Sequence, residues 1–346
     1  MSFNYATSPA LDAATTVDTG AQFLPATTSG AERGVLDVTM AMRHAGIRRV
    51  RIAWEWQGVA QGPVLIVQGG ISANRHVATS TRFAEPGWWQ AQCGPGRALD
   101  TSQHRVLAID WLGSDGCLDV CIDPSDQADA IAAVLDHLGI AKAVAFVGAS
   151  YGAMVGLQFA ARHGARLGRL VVISGAHRSH PQVTALRVIQ RRIVALGRSE
   201  AGIREALALA RSLAVIGYRS DIEFAQRFDL RPDVGTDQAR FAVEDYFDAI
   251  GPRFVARFCP TAYVRLSESI DLQDVNPEDI TVPTDIVAVV EDQVVPEADL
   301  LTLTERLRGP ARLQRIRSLY GHDAFLKEET RIAAILSRAL NRSGRA

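Results

Sequence analysis

The chain is expected to fold as an α/β protein, a mostly parallel sheet with helices on both faces and a helical segment inserted late in the sheet. Three observations predict it. Short, continuously apolar runs alternate with stretches of helical periodicity, the pattern of strands buried on both faces of a parallel sheet. One of these runs, residues 143–147, passes through Gly148-Ala149-Ser150-Tyr151-Gly152 directly into an Ala- and Gly-rich helical stretch. From about residue 181 to 277 the strand signal lapses, and only helical stretches remain.

In order, residues 1–45 carry little periodicity and read as a loosely attached arm. Residues 49–56 alternate with a period of two, as a half-buried strand does, and Gln57-Gly58 ends them. Residues 63–68 form a short buried strand that breaks at Gly69-Gly70. In the loop Pro86-Gly87-Trp88-Trp89, one tryptophan is expected in the core and the other at a pocket rim. A strand at 106–111 precedes an amphipathic helix at 126–138, stopped by Gly139. After the Ser150 segment comes a strand at 170–173. Helical stretches follow at 183–196, 202–216, 222–227 and 241–258. The sheet resumes at 284–290, then a helix at 297–307, a strand at 311–316 and a closing helix at 323–340. The expected organisation is an arm at 1–45, a core made of 46–180 and 281–346, and a helical lid at 181–280.

Composition narrows the function. With 37 Lys and Arg against 38 Asp and Glu, the chain lacks the basic bias of a nucleic-acid surface. No apolar run approaches the roughly 18 residues of a membrane span. The first residues lack the basic-then-apolar layout of a secretory signal, so a cytoplasmic protein is expected. Four cysteines are too few for a disulfide framework in a chain of 346 residues. Cys117 and Cys121 have no matching second pair, and no metal site is expected.

The chemistry centres on Ser150. A buried strand that turns at once into a helix crowds its own backbone, so the positions two before and two after the apex must be nearly side-chain-free. Gly148 and Gly152 meet that need, and the apex residue is forced into a strained conformation that lifts its side chain above the sheet. An ordinary strand-to-helix turn would fit the same five residues, so the reading depends on partners downstream.

Past the strand at 284–290 stand Glu291 and Asp292. Either would also serve as a helix N-terminal charge ahead of Glu297, and Asp292 is favoured for its place relative to Pro296. Past the strand at 311–316 stands His322, the one of eight histidines at a strand end in front of a helix. The order Ser150, Asp292, His322 is that of the α/β-hydrolase fold. In such a site His322 takes the Ser150 proton while Asp292 holds the imidazole tautomer. The oxyanion donors would be the N–H groups of Ile71, in the loop after an earlier strand, and of Tyr151.

A longer set of residues then points to a family. Gly70-Ile71-Ser72 with His76, Pro86-Gly87-Trp88-Trp89, Gly94-Pro95-Gly96 with Leu99-Asp100, the Ser150 elbow, Leu209-Ala210-Arg211 with Tyr218-Arg219-Ser220, Arg227-Phe228, Tyr263 through Asp271, and Gly321-His322-Asp323-Ala324-Phe325-Leu326 resemble, in order, the MetX-type homoserine O-acyltransferases. The resemblance spans roughly residues 45–340. It implies acyl transfer from an acyl-CoA to the hydroxyl of L-homoserine in methionine biosynthesis, with no bound cofactor, and by analogy a homodimer.

The resemblance also implies amino-acid binding through Arg211 and Asp323, with Tyr218 two helical turns from Arg211 on the same face. Tyr151 departs from the methionine usual after the nucleophile, and the loop at 113–124 lacks the family's Gly-Ser-Thr-Gly stretch. Some succinyl-using members carry an arginine where this chain has Val294, which favours acetyl. Arg75, in the oxyanion loop, offers a cation for a succinyl carboxylate, and the short chain resembles a compact succinyl-transferring branch. Succinyl-CoA is therefore the expected donor, ahead of acetyl-CoA. Serine O-acyl transfer, an esterase or thioesterase with the same triad, and a catalytically inert scaffold are the rivals.

Overall fold

In the computed structural model, residues 29–341 are described. Eight strands form one sheet: β1 (Ser29–Met42), β2 (Gly46–Val59), β3 (Val64–Gln68), β4 (Arg105–Ile109), β5 (Ala145–Ala149), β6 (Leu170–Ile173), β7 (Thr284–Val289) and β8 (Ala311–Ile316). Their order is β1-β2-β4-β3-β5-β6-β7-β8. The β1-β2 ribbon and the β2-β4 pair are antiparallel, and every pairing from β4 to β8 is parallel.

The central strands bury every residue, as apolar runs covered on both faces must. Their side chains alternate between two cores. Ile66, Phe146, Val172 and Ile286 face α1 (Pro124–His137), α2 (Tyr151–His163) and, later, α8 (Glu297–Arg306). Leu65, Val147, Ile173 and Val287 face the closing helix α10 (Glu329–Asn341), whose Ile332, Ile335, Leu336 and Ala339 share one stripe. The expected closing helix at 323–340 is broken into a short turn at 321–323, α9 (Ala324–Lys327) and α10.

Between β6 and β7 run α3 (Pro181–Ala195), α4 (Glu200–Tyr218), α5 (Asp221–Arg227), α6 (Ala242–Val255) and α7 (Pro260–Asp271). Of these, α3, α4, α6 and α7 pack around a small core of their own, Val194, Leu207, Ala210, Val255 and Tyr263. Asp271 at the end of α7 accepts from Arg187 Nε at 2.7 Å and Arg191 Nη1 at 2.7 Å, tying α7 to α3.

The expectation of a loose arm over residues 1–45 is overturned for residues 29–42, and residues 1–28 lie outside those described. Residues 29–42 form β1, paired with β2 along its whole length from Ser29 opposite Val59 to Met42 opposite Gly46. Leu36, Val38, Met40 and Met42 face inward, toward the core of α1 and α2. The outward face carries Val35, Asp37, Thr39 and Ala41, too mixed in polarity for the alternation to stand out.

Candidate active site

Backbone crowding at the apex of β5 and α2 is severe. A Cβ at Gly148 would lie 2.3 Å from the carbonyl oxygen of Gly152, and one at Gly152 would lie 2.2 Å from that of Gln68. With both positions bare, Ser150 adopts φ 55° and ψ −120°, a conformation rare for a residue with a side chain. Its N–H donates to Ile173 O at 2.8 Å, which fixes the turn to the neighbouring strand.

Ser150 Oγ lies 2.8 Å from His322 Nε2, and His322 Nδ1 lies 2.8 Å from Asp292 Oδ2. The other carboxylate oxygen accepts from the backbone N–H groups of Val294 at 2.8 Å and Val295 at 3.0 Å. With both carboxylate oxygens of Asp292 engaged as acceptors, the imidazole carries its proton on Nδ1 and offers Nε2 to the serine. Glu291, the competing acid, points elsewhere: it accepts from Arg317 Nε at 2.9 Å and Ser318 N at 2.8 Å.

His322 is brought within reach by a tight turn. Gly321 has φ 55°, and a Cβ there would lie 3.0 Å from Tyr218 O and 3.1 Å from Ser220 N, so the turn packs flush against the end of α4. Burial drives the His322 pKa down, but the charge and hydrogen bond of Asp292, helped by Asp323, outweigh it and leave it above the ordinary value.

The loop after β3 lies over Ser150. The Cβ direction of Gly70 points to Ser150 Oγ at 3.8 Å. The carbonyl of Gly70 accepts from Trp111 Nε1 at 3.0 Å and Ala73 N at 3.0 Å. Tyr151 is the first residue of α2, where backbone N–H groups have no partner within the helix. Its side chain departs inward, the ring 4.8 Å from that of Trp111 and the hydroxyl 2.6 Å from Ser269 Oγ. Burial keeps that phenol protonated by raising its pKa.

A cavity of about 190 Å³ opens on Ser150 and His322. Among the sequence-predicted residues, Ile71, Tyr151, Arg211, Tyr218, Asp323 and Val294 all line it. Arg211 stands over the rings of Tyr218 at 5.4 Å and Phe254 at 4.9 Å, while Asp323 lies 3.2 Å from Arg219 Nε. Arg75 is the exception. It is absent from the wall, because its guanidinium and backbone N–H both engage Asp110. Trp88 lines the rim, and Trp89, stacked on it at 5.1 Å, is buried and donates to Phe325 O at 2.9 Å.

Sequence reasoning missed three wall or support residues: Ser174, Arg187 and Trp111. Ser174 reads as the end of a strand, and Arg187 as a surface charge on a helix rich in arginine. Only the neighbouring elements reveal otherwise. Outside the cavity, an open groove of about 800 Å³ shares Ile71, Ser72, Ala73, Trp88, Arg211 and Phe254 with it and carries Arg253 and Arg257.

No described helix is long and apolar enough to cross a membrane. No group of three or more His, Cys, Asp or Glu among the described residues could hold a metal ion.

The family model of the α/β hydrolase fold matches residues 62–329. A homoserine O-succinyltransferase of Xanthomonas campestris pv. campestris is 53% identical over 333 residues, covering 95% of this chain and 89% of that protein. A serine O-succinyltransferase of the same species is 31% identical, covering 73% of this chain and 75% of that one. In fold, the chain resembles the crystal structure of a homoserine O-acetyltransferase from Bacillus anthracis, with a TM-score of 0.81 at 16% identity, over 91% of this chain and 98% of that one.

Proposed function

The chain belongs to the α/β hydrolases and, within them, to the homoserine O-acyltransferases, and on that premise we propose that it moves a succinyl group from succinyl-CoA to the side-chain hydroxyl of L-homoserine through a seryl acyl-enzyme. One observation carries the reading. The hydrogen-bonded line Asp292, His322, Ser150 ends in a cavity whose wall holds one unpaired arginine, Arg211, and the carboxylate of Asp323.

Ser150 Oγ attacks the thioester carbonyl carbon, and its proton passes to His322 Nε2. The C–S bond breaks and the departing CoA sulfur takes that proton. The homoserine hydroxyl then gives its own proton to His322 Nε2 and attacks the acyl carbonyl, and Ser150 leaves reprotonated. In both steps the oxyanion is received by the N–H groups of Ile71 and Tyr151.

Arg211 presents a planar donor fork to the amino-acid carboxylate, and its rings keep that fork in place. Asp323 takes the ammonium, sharing its charge with Arg219. Tyr218 packs its ring 5.4 Å from the Arg211 guanidinium and 5.8 Å from the ring of His322. The outer groove with Arg253 and Arg257 suits the phosphates of CoA. The helices α3–α7 act as a lid that keeps water from the acyl-enzyme. A CoA donor fits a cytoplasmic enzyme, and the exposed Leu209, Leu230 and Val234 of the helical segment would supply a homodimer interface.

Purified protein with succinyl-CoA should convert L-homoserine to its O-succinyl ester, identified by mass spectrometry, with L-serine and acetyl-CoA as the poorer partners. L-serine differs by one methylene, worth only about 1–3 kcal/mol. Hydrolysis of succinyl-CoA at a rate independent of added amino acid would instead identify a thioesterase.

A further inference from the structure

Ser174 and Arg187, both in the cavity wall, have no task in the chemistry above. Ser174 follows β6 directly and lines the cavity while being fully buried. Its Oγ has no hydrogen-bond partner among the described residues. A buried hydroxyl without a partner is costly, and sequences seldom keep one without a use. The residue is also strained, with φ 49°, the only non-glycine residue besides Ser150 with positive φ among those described. Strain of this kind gathers where a site must be held in shape.

Ser174 stands immediately beside the nucleophile. Ala149 pairs with Ile173 across β5 and β6, which places Ser150 and Ser174 next to one another beyond the strand ends. The following Gly175 is so close to the elbow that a Cβ there would lie 2.8 Å from Ser150 O.

Arg187, on α3, lines the same cavity with its side chain 10% exposed. Its Nε donates to Asp271 Oδ1 at 2.7 Å and one terminal nitrogen donates to Ser179 Oγ. Nη1 meets no protein acceptor among the described residues. Asp271 is shared with Arg191, so two guanidinium groups face one carboxylate and the cluster keeps one net positive charge. That charge acts on His322, whose protonated form it disfavours.

We infer that Ser174 and Arg187 form the subsite for the distal carboxylate of a dicarboxylic acyl group, the succinyl tail on Ser150. The inference rests on the proposed acyl-enzyme and deepens it. Once the acyl-enzyme meets the amino acid, the cavity must hold two carboxylates and one ammonium. Its wall supplies two cationic sites, Arg187 and Arg211, and one anion, Asp323. Arg75 is not needed for this balance, being occupied by Asp110.

The test follows acylation alone, as CoA release without any acceptor, with succinyl-CoA and with butyryl-CoA, whose acyl chain has the same length but ends in a methyl group. The quantity read is the ratio of the two second-order acylation rate constants. Arg187→Gln should lower this ratio about 50-fold and Ser174→Ala about tenfold, the range for losing a hydrogen bond to a charged group.

Arg187→Gln leaves Asp271 paired with Arg191. If it nonetheless fails to fold, Ser174→Ala decides the matter alone. An unchanged ratio in Ser174→Ala, or equal losses with both thioesters in Arg187→Gln, overturns the subsite. A wild-type protein that is acylated faster by butyryl-CoA than by succinyl-CoA overturns the succinyl reading itself. Wild-type succinyl preference that survives both substitutions overturns the subsite and leaves that reading standing.

Discussion

Trp111 donates its indole N–H to the carbonyl oxygen of Gly70 at 3.0 Å, and the peptide held by that bond is the one whose N–H belongs to Ile71. In a trans peptide the two groups point in opposite directions, so a carbonyl anchored toward Trp111 turns the Ile71 N–H the other way. The same indole packs against the ring of Tyr151, whose N–H is the second proposed donor. Trp111 thus braces both halves of the proposed oxyanion site from outside the cavity wall.

Replacing Trp111 by Phe should lower kcat about tenfold with little change in KM, less than the roughly 10²–10³-fold cost of deleting an oxyanion donor outright. A boronate mimic of the tetrahedral intermediate should weaken by the same factor. Loss of kcat without loss of that affinity would assign Trp111 to general packing.

The pH dependence follows from His322. Only the neutral imidazole can accept the serine proton, and its pKa stands above the ordinary value of 6.5 because Asp292 outweighs burial. The acid limb of kcat/KM should therefore fall above that value, and Asp292→Asn should move it downward while reducing kcat about 10³–10⁴-fold. The raised value belongs to the folded state, so protonation stabilises the fold below about pH 6.5, and the contribution is lost as pH rises through the folded pKa. Melting temperatures of wild type and His322→Gln against pH should diverge on the acid side.

Arg211→Lys should raise KM for the amino-acid acceptor about 10- to 100-fold, since lysine supplies neither the planar fork nor the stacking on Tyr218 and Phe254. A comparable rise in KM for the thioester, with the acceptor unaffected, would place Arg211 on the donor path.

Tyr151→Phe separates side chain from backbone. It leaves the Ser269 hydroxyl without its 2.6 Å partner and should cost about 1–3 kcal/mol of stability. Turnover at a temperature where the variant is folded should stay within about twofold of wild type. A loss of 10²-fold would mean that the phenol itself takes part in the reaction.

Much of the site was legible because strand ends are where the chain announces itself. Gly148 and Gly152 reveal the elbow, Asp292 follows the apolar run of β7, and His322 stands past the strand at 311–316 and just ahead of a helix. Where polarity contrast is weak, the reading failed. β1 carries Val35, Asp37, Thr39 and Ala41 on its outer face, so its sequence lacks a strand's alternation, and α7 begins at Pro260, just beyond the helical stretch expected at 241–258. Arg75 and Arg187 are both arginines near the right loops. Only tertiary pairing separates them, since Asp110 occupies the first while the second keeps a free edge toward the cavity.

The central claim is that Ser150 carries the acyl group between donor and acceptor. Intact-mass and peptide mass spectrometry after mixing the protein with succinyl-CoA, without acceptor, tests it most directly. A single succinyl adduct on the peptide containing Ser150 is predicted, chased off by L-homoserine with an equal yield of its O-succinyl ester and absent from Ser150→Ala. An adduct that survives in Ser150→Ala, or ester formation that proceeds in that variant at the wild-type rate, would contradict the account.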